Sequence, residues 1–239
     1  DHRHFEFSAR QGDDELSVVT FEDVTDRIAS QEKIHYMARF DSLTGLANRG
    51  HFQDLVSQAL ARGDRSRKCA MLVVDIDAFK EINDSLGHPV GDGVIYGVAE
   101  RLAIHASKEV MISRFGGDEF LVFFNTVIDE ADLRQRVETI CSSIQGKVDV
   151  AGHLIEATLS GGAVFADVSE ASVDRLMVKA DLALYKSKEE GKGSWCIFED
   201  SMDRAFQERQ RLKADLRGAI DRGELVVVYQ PIINARTLR

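Results

Sequence analysis

The chain has 239 residues, of which 30 are lysine or arginine and 40 are aspartate or glutamate, so its formal net charge is −10. This balance argues against a nucleic-acid polymer as partner, because polymer binding depends on many phosphate contacts from cationic side chains. The three cysteines are far apart and indicate neither disulfides nor a zinc site. Since no apolar run reaches the roughly 18 residues of a membrane span, we expect a cytoplasmic chain without membrane contact.

Alternating apolar residues at the start of the chain predict two short strands, His4–Ala9 and Leu16–Phe21, with a turn over residues 12–14. Two strands alone do not make a stable domain. Residues 23–40 then carry apolar side chains at helical spacing among mixed charges. We interpret this segment as a linker helix whose apolar stripe could pair with a second copy of the chain.

Strand and helix patterns alternate through the central block, residues 41–199. Apolar, β-branched runs predict strands, and apolar residues three or four positions apart predict helices. The order is roughly β-α-β-β-α-β, which predicts an α+β fold with a mostly antiparallel sheet covered by helices on one face. The predicted strands are Cys69–Ile76, Val110–Arg114, Phe120–Phe124, Ala157–Phe165, Trp195–Phe198 and Leu225–Tyr229, and the predicted helices include Val94–Leu102, Leu133–Ile144, Val173–Leu184 and Met202–Ile220.

The segment Arg114–Phe120 contains two adjacent glycines followed by two acids. Gly116 and Gly117 allow a sharp turn and leave the backbone uncovered, so an anion could approach the main chain closely. Asp118 and Glu119 would then stand directly beyond the turn. Taken alone, this pattern is equally typical of an acidic surface hairpin.

A second acidic pair, Asp75 and Asp77, stands at the end of the predicted strand Cys69–Ile76, on one strand face. Carboxylates in this position are costly unless they bind a cation or accept hydrogen bonds. If this strand lies beside the double-glycine hairpin, Asp75 and Asp118 converge on an oxygen-ligand site that suits Mg²⁺. By itself the pair is more often a solvated strand end, but the two acidic clusters together favour a metal site.

The residues between these acidic clusters carry polar groups that a nucleotide requires. Asn83 and Asp92 can bond the edge of a guanine base, and Lys80 is near enough in sequence to serve a phosphate. Asn83 and Asp92 are also common helix caps, and Asp92 directly precedes a predicted helix over residues 93–106. Capping and base recognition are compatible, so both interpretations stay open.

Four motifs resemble, in order and spacing, those of the GGDEF family of diguanylate cyclases: Asp41–Arg49, Asp75–Asp92, Arg114–Phe120 and Tyr185–Lys192. The similarity covers about residues 38–199. It implies a central sheet like that of class III nucleotide cyclases and polymerase palm domains, flanked by helices. It also implies that each protomer binds one GTP and that a homodimer joins two GTP molecules into cyclic di-GMP.

The resemblance further implies roles for individual residues. Asp75, the carbonyl of Ile76 and Asp118 match the metal ligands, with Mg²⁺ as the expected ion and Mn²⁺ as its substitute. Asp118 also matches the base for the 3′-hydroxyl, and Glu119 has a supporting catalytic role. Asn83 and Asp92 match guanine contacts; Lys188 and Lys192 match β- and γ-phosphate contacts, although such lysines alone are more often a basic helix end. The substrate-binding positions are Phe79, Lys80, Asn83, His88, Asp92, Gly116, Gly117, Lys188 and Lys192.

Many members of the family carry an inhibitory product site, an Arg-x-x-Asp motif shortly before the double glycine. Here Ser107 and Val110 occupy the arginine and aspartate positions. Neither residue can supply the guanidinium or the carboxylate of that site. Inhibition by the product through this site is therefore predicted to be absent.

The flanking segments resemble parts of other domains. Residues 1–22 resemble the C-terminal end of a PAS sensor, residues 23–40 are the linker helix, and residues 41–199 are the GGDEF domain. Residues 200–239 resemble a linker helix and the truncated start of an EAL phosphodiesterase domain. Because no Glu-Ala-Leu motif is present, we do not expect this chain to hydrolyse cyclic di-GMP.

Two functions from different classes are consistent with these motifs. The intact Gly-Gly-Asp-Glu-Phe motif favours an active diguanylate cyclase that works as a homodimer. The alternative is a catalytically silent GTP-binding module that controls a downstream EAL phosphodiesterase. Conversion of GTP to product distinguishes the two.

Overall fold

The computed structural model describes residues 3–11, 17–62, 64–224 and 226–228. The chain divides into two compact units, Asp1–Phe198 and Glu199–Arg239. In order, the first unit contains β1 (Phe5–Gln11), β2 (Ser17–Asp23), α1 (Thr25–Met37), α2 (Arg49–Arg62), β3 (Lys68–Ile76), α3 (Phe79–Leu86), α4 (His88–Ala103), β4 (Val110–Gly116), β5 (Glu119–Val127), α5 (Glu130–Ile144), β6 (Gly146–Val150), β7 (His153–Ala157), β8 (Leu159–Asp167), α6 (Val173–Glu190) and β9 (Trp195–Ile197).

The second unit contains one helix among its described residues, α7 (Asp200–Asp221). Residues 226–228 are not in a strand. The other positions of the strand predicted at Leu225–Tyr229 lie outside the described residues, as does the whole turn predicted over residues 12–14. Among the helices of the described ranges, none combines the length and hydropathy that a bilayer crossing needs.

The central sheet has five strands in the order β4-β5-β3-β8-β9. Neighbouring strands are antiparallel except for β9, which runs parallel to β8. The predicted α+β class with a mostly antiparallel sheet flanked by helices is therefore confirmed. Two separate hairpins, β1-β2 and β6-β7, stand outside this sheet; the sequence patterns did not predict the second one.

Helices cover both faces of the sheet, so the prediction of a single covered face was wrong. Leu72 and Val74 of β3 belong to a core cluster with residues of α4 and α5. Met71 and Val73 point to the other face and join a second cluster with Phe52 of α2 and residues of α6. The unbroken apolar run of β3 agrees with this arrangement, because a strand without a polar side must be buried on both faces.

Helix α4 begins five residues earlier than predicted, at His88. Gly87, with φ of 86°, occupies the N-cap position, and Pro89 lies in the first turn, where its fixed φ and missing N–H are tolerated. Asp92 therefore lies inside the helix, and its predicted role as the N-cap was wrong. The segment before it forms a further helix, α3, which ends at Leu86.

Candidate functional site

The double-glycine turn between β4 and β5 lies beside the end of β3. Asp75 is the register partner of Glu119 in the antiparallel β3-β5 ladder, and the Ile76 N–H donates to the Asp118 carbonyl oxygen at 3.3 Å. The sheet therefore brings together two acidic segments that lie about forty residues apart in the sequence. This spatial relation is the one on which the predicted metal site depends.

The turn has open space beside its two glycines, and the Arg114 side chain holds its backbone in place. Gly116 has φ of 155° and Gly117 has φ of 55°, and a Cβ atom added to either would meet no other atom within 4 Å. The Arg114 guanidinium donates to the Gly117 carbonyl at 3.0 and 2.8 Å and to Asp41 Oδ1 at 3.0 Å. An anion can thus approach the main chain, while Arg114 fixes the turn to the loop after α1.

The end of β3 concentrates negative charge that one lysine partly neutralises. Lys188 Nζ on α6 lies 2.6 Å from Asp75 Oδ1. Burial raises the pKa of Asp75; the Lys188 ammonium opposes this rise, and the charges of Asp118 and Asp77 add to it. Burial and then the charge of Asp75 likewise raise the pKa of Glu119. A cation placed here would relieve this repulsion.

The donor set fits a hard divalent cation. Two carboxylates, Asp75 and Asp118, and the carbonyl of Ile76 offer oxygen atoms only, which is the chemistry that Mg²⁺ prefers. No group of three or more His, Cys, Asp or Glu side chains within the described ranges is arranged to hold a metal. The predicted set contains only two such side chains, so water and phosphate oxygens would complete the coordination.

A second group of predicted residues lies where α3 packs on α4. Asn83 on α3 faces Gly91 so closely that a Cβ atom on Gly91 would lie 2.0 Å from Asn83 Oδ1 and 3.2 Å from the ring of Phe79. The Asn83 Oδ1 atom is buried and accepts no hydrogen bond from the described residues. His88 and Asp92 are exposed and one turn apart on α4. An unused acceptor beside exposed polar groups suits a ligand with N–H donors.

The cationic positions lie at the C-terminal end of α6. Lys188 is on the last turn of the helix, and Lys192 is on the exposed loop that follows. Lys80 is exposed in the first turn of α3. All three lysines are thus placed on the described surface or near it. That they bind phosphate stays a prediction.

Sequence reasoning did not assign roles to several residues that shape the site. Asp41 and Arg114 lie within quoted motifs, yet only the fold shows that they form an ion pair. Asp181 adds to the repulsion on Glu119. Its spacing of seven residues from Lys188 on α6 was the available signal, since such positions share a helix face.

Comparison with known proteins finds a family model and relatives that match this chain. The family model "Diguanylate cyclase, GGDEF domain" matches residues 38–194. The chain is 35% identical over 208 residues to the bifunctional diguanylate cyclase/cyclic di-GMP phosphodiesterase MucR of Pseudomonas aeruginosa, covering 87% of this chain and 30% of MucR. It is 30% identical over 214 residues to the cyclic di-GMP phosphodiesterase PdeR of Escherichia coli, covering 90% of this chain and 32% of PdeR.

The fold is also shared with a solved structure. The GGDEF domain of PA1120 (TpbB or YfiN) from Pseudomonas aeruginosa superposes with a TM-score of 0.65 at 33% sequence identity, over 70% of this chain and 99% of that one. The chain thus spans about a third or less of the length of the two curated relatives, but a whole GGDEF domain.

Proposed function

Because this chain belongs to the GGDEF family of diguanylate cyclase domains, we propose that it condenses two GTP molecules into cyclic di-GMP and pyrophosphate. The observation that carries the proposal is the position of the Gly116–Gly117 turn at the end of β3. There the Ile76 N–H donates a hydrogen bond to the Asp118 carbonyl oxygen. This arrangement places the acids next to an open backbone cradle. Both features are needed to hold a triphosphate for in-line attack.

The proposed reaction is phosphoryl transfer between two bound nucleotides. The 3′-hydroxyl oxygen of one GTP attacks the α-phosphorus of the other; the new O–P bond forms as the bond to the pyrophosphate oxygen breaks. Asp118 accepts the hydroxyl proton. The second 3′-hydroxyl repeats the step and closes the ring.

Substrate binding is divided between two parts of the site. Asn83 and Asp92 would bond the guanine edge, while Lys188 and Lys192 would neutralise the β- and γ-phosphates. Since Lys188 bonds Asp75 in the free chain, nucleotide binding would transfer its ammonium from carboxylate to phosphate. Mg²⁺ held by Asp75, the Ile76 carbonyl and Asp118 would neutralise phosphate charge.

Condensation across two active sites requires two chains. The two nucleotides must be held face to face, and positioning of this kind contributes a large part of the rate. Helix α1 exposes Ile34 and Met37, an apolar stripe suited to pairing with a second copy. We therefore expect the rate per chain to rise with protein concentration.

The test is incubation of the chain with GTP and Mg²⁺, followed by separation of nucleotides by chromatography. We expect cyclic di-GMP in the wild type and a loss of about 100-fold or more in Asp118→Asn and Asp75→Asn, because each loses a metal ligand worth several kcal/mol. Asp54→Asn is the matched control, since it removes the same charge from an exposed position on α2. Near-normal turnover in the two site variants would refute the assignment.

A second candidate is a GTP-binding module without turnover. The similarity to PdeR, which is named a phosphodiesterase, favours this alternative, because a GGDEF domain in such a protein need not make product. GTP that is bound but unconverted, even at high protein concentration, would support the regulatory function and exclude the cyclase.

The resemblance of the flanking segments to PAS and EAL domains suggests which domains stand beside this one in a longer protein. We infer that residues 1–22 end a PAS-like sensor, that an EAL domain begins after helix α7, and that this part of the protein lies in the cytoplasm. The β1-β2 hairpin, with its exposed Phe7 and Phe21 in edge-to-face contact, is consistent with the end of a larger sheet. Limited proteolysis and mass spectrometry of the full-length protein would test these boundaries.

A further inference from the structure

Asp77 is a buried carboxylate whose two oxygens each accept a hydrogen bond from the protein. It is only 5% exposed. Its Oδ1 accepts from the Ser160 hydroxyl at 2.7 Å, and its Oδ2 accepts from the backbone N–H of Gly193 at 2.8 Å. Buried carboxylates persist when they are paired in this way. Asp77 therefore joins the end of β3 to β8 and to the loop after α6.

That loop, residues 191–194, is fixed on both sides of Lys192. The Ser194 carbonyl accepts from the Ser187 hydroxyl at 2.6 Å and from the Gly161 N–H at 2.9 Å. The Ser194 hydroxyl donates to the Gly191 carbonyl at 2.8 Å. The backbone that carries Lys192 is thus held in place, while its side chain stays exposed.

We propose that Asp77 is a positioning residue for the phosphate site: it holds the backbone beside Lys192 through Gly193, and it does not act as a metal ligand. The inference rests on the proposed function, in which Lys192 binds the β- and γ-phosphates. A lysine loses considerable freedom when it is fixed on a ligand. When the backbone that carries the lysine is already fixed, less conformational entropy is lost on binding.

The first test compares the affinities of GTP and GMP by isothermal titration calorimetry with Mg²⁺ present; GTP and ATP are supplied as their α,β-methylene analogues, which the proposed reaction cannot cleave. GMP lacks the β- and γ-phosphates, so the ratio of the two affinities reports on the phosphate contacts. In Asp77→Ala the Gly193 N–H loses its 2.8 Å acceptor and keeps only the longer contact with the Ser160 hydroxyl oxygen at 3.4 Å. We expect the preference for GTP over GMP to fall about threefold to tenfold, with the preference for GTP over ATP unchanged.

The conservative variant separates positioning from metal binding. In Asp77→Asn the amide oxygen can still accept from Gly193, and the Ser160 hydroxyl can rotate to accept from the amide NH₂. We expect this variant to keep the GTP-over-GMP ratio within about twofold of the wild type. A metal ligand would lose most of its function in either variant, so an equal loss in Asp77→Asn and Asp77→Ala would overturn the proposal.

The second test asks whether Asp77 acts through Lys192. In a Lys192→Met background, Asp77→Ala should cause no further loss of the GTP-over-GMP ratio, because effects that share one route do not add. Additive losses would contradict the proposal. Asp129→Ala is the control for general destabilisation, since it removes the N-cap of α5 and should leave the ratio unchanged.

A replacement variant covers the case in which Asp77→Ala does not fold. If Asp77→Ala does not fold, Ser160→Ala replaces it; this variant frees one Asp77 oxygen and should lower the ratio in the same direction but less. An unchanged ratio in the soluble variants would overturn the inference. If the wild type itself fails to prefer GTP over GMP, the proposed function fails first, and the inference fails with it.

Discussion

Gly91 controls the orientation of the Asn83 amide, so Gly91→Ala should impair guanine recognition. The added Cβ would lie 2.0 Å from Asn83 Oδ1 and 3.0 Å from its Cγ, whereas ordinary contacts begin at 3.4 Å. The obstructing atoms belong to a side chain, so the amide can rotate away. The added Cβ would also lie 3.2 Å from the ring of Phe79, so this ring must give way by a few tenths of an ångström as well.

The expected cost is that of one hydrogen bond to the base. A buried acceptor without its partner costs about 1–3 kcal/mol, and about 2 kcal/mol corresponds to a roughly 30-fold weaker Kd for GTP. ATP presents a different edge to Asn83, so its affinity should change little. Because the helix gains about 0.5–1 kcal/mol when glycine becomes alanine, the fold itself should survive.

Calorimetric titration of Gly91→Ala with GTP and ATP, again as their α,β-methylene analogues, and with GMP measures this effect. We expect the preference for GTP over ATP to fall and the preference for GTP over GMP to stay constant, the reverse of Asp77→Ala. Gly50→Ala is the matched control, because its Cβ would lie at an ordinary 3.7 Å from Asn48 Oδ1. A wild-type GTP-to-ATP ratio in Gly91→Ala would refute the reasoning about Asn83.

Three other predictions concern stability and regulation. In Gly162→Ala the Cβ would lie 2.1 Å from the backbone nitrogen of Leu184, so β8 and α6 must separate; we expect a loss of about 3 kcal/mol in urea unfolding. Although burial opposes it, hydrogen bonds from the Thr44 hydroxyl and from Arg114 lower the pKa of Asp41 below 3.8. Its stabilisation is therefore full above pH 3.8 and lost as the pH falls through the lower folded pKa; urea unfolding of Asp41→Asn should approach that of the wild type only in this acid range. Since Ser107 and Val110 replace the inhibitory pair, progress curves should not slow when cyclic di-GMP is added; strong inhibition would contradict this.

Local patterns in the sequence determined much of the fold and the family. The apolar run of β3 predicted that strand within one residue, and the helical spacing of α6 predicted where that helix begins, because burial imposes a regular period on side chains. The helix continues six residues beyond the predicted end at Leu184, to Glu190. The two glycines before Asp118 indicated the turn, since a positive φ is favourable for glycine. The four motifs were sufficient to indicate the GGDEF domain, which the family match confirmed.

Only the tertiary structure decided which side chains share a site and which serve the backbone. Asp75 and Asp77 are equivalent in the sequence, yet one meets Lys188 and the other accepts bonds from Ser160 and Gly193, 83 and 116 residues away. Only the structure likewise shows that Gly91 packs against Asn83 and that helices cover both faces of the sheet. Such contacts depend on how distant segments pack, and no local periodicity records them.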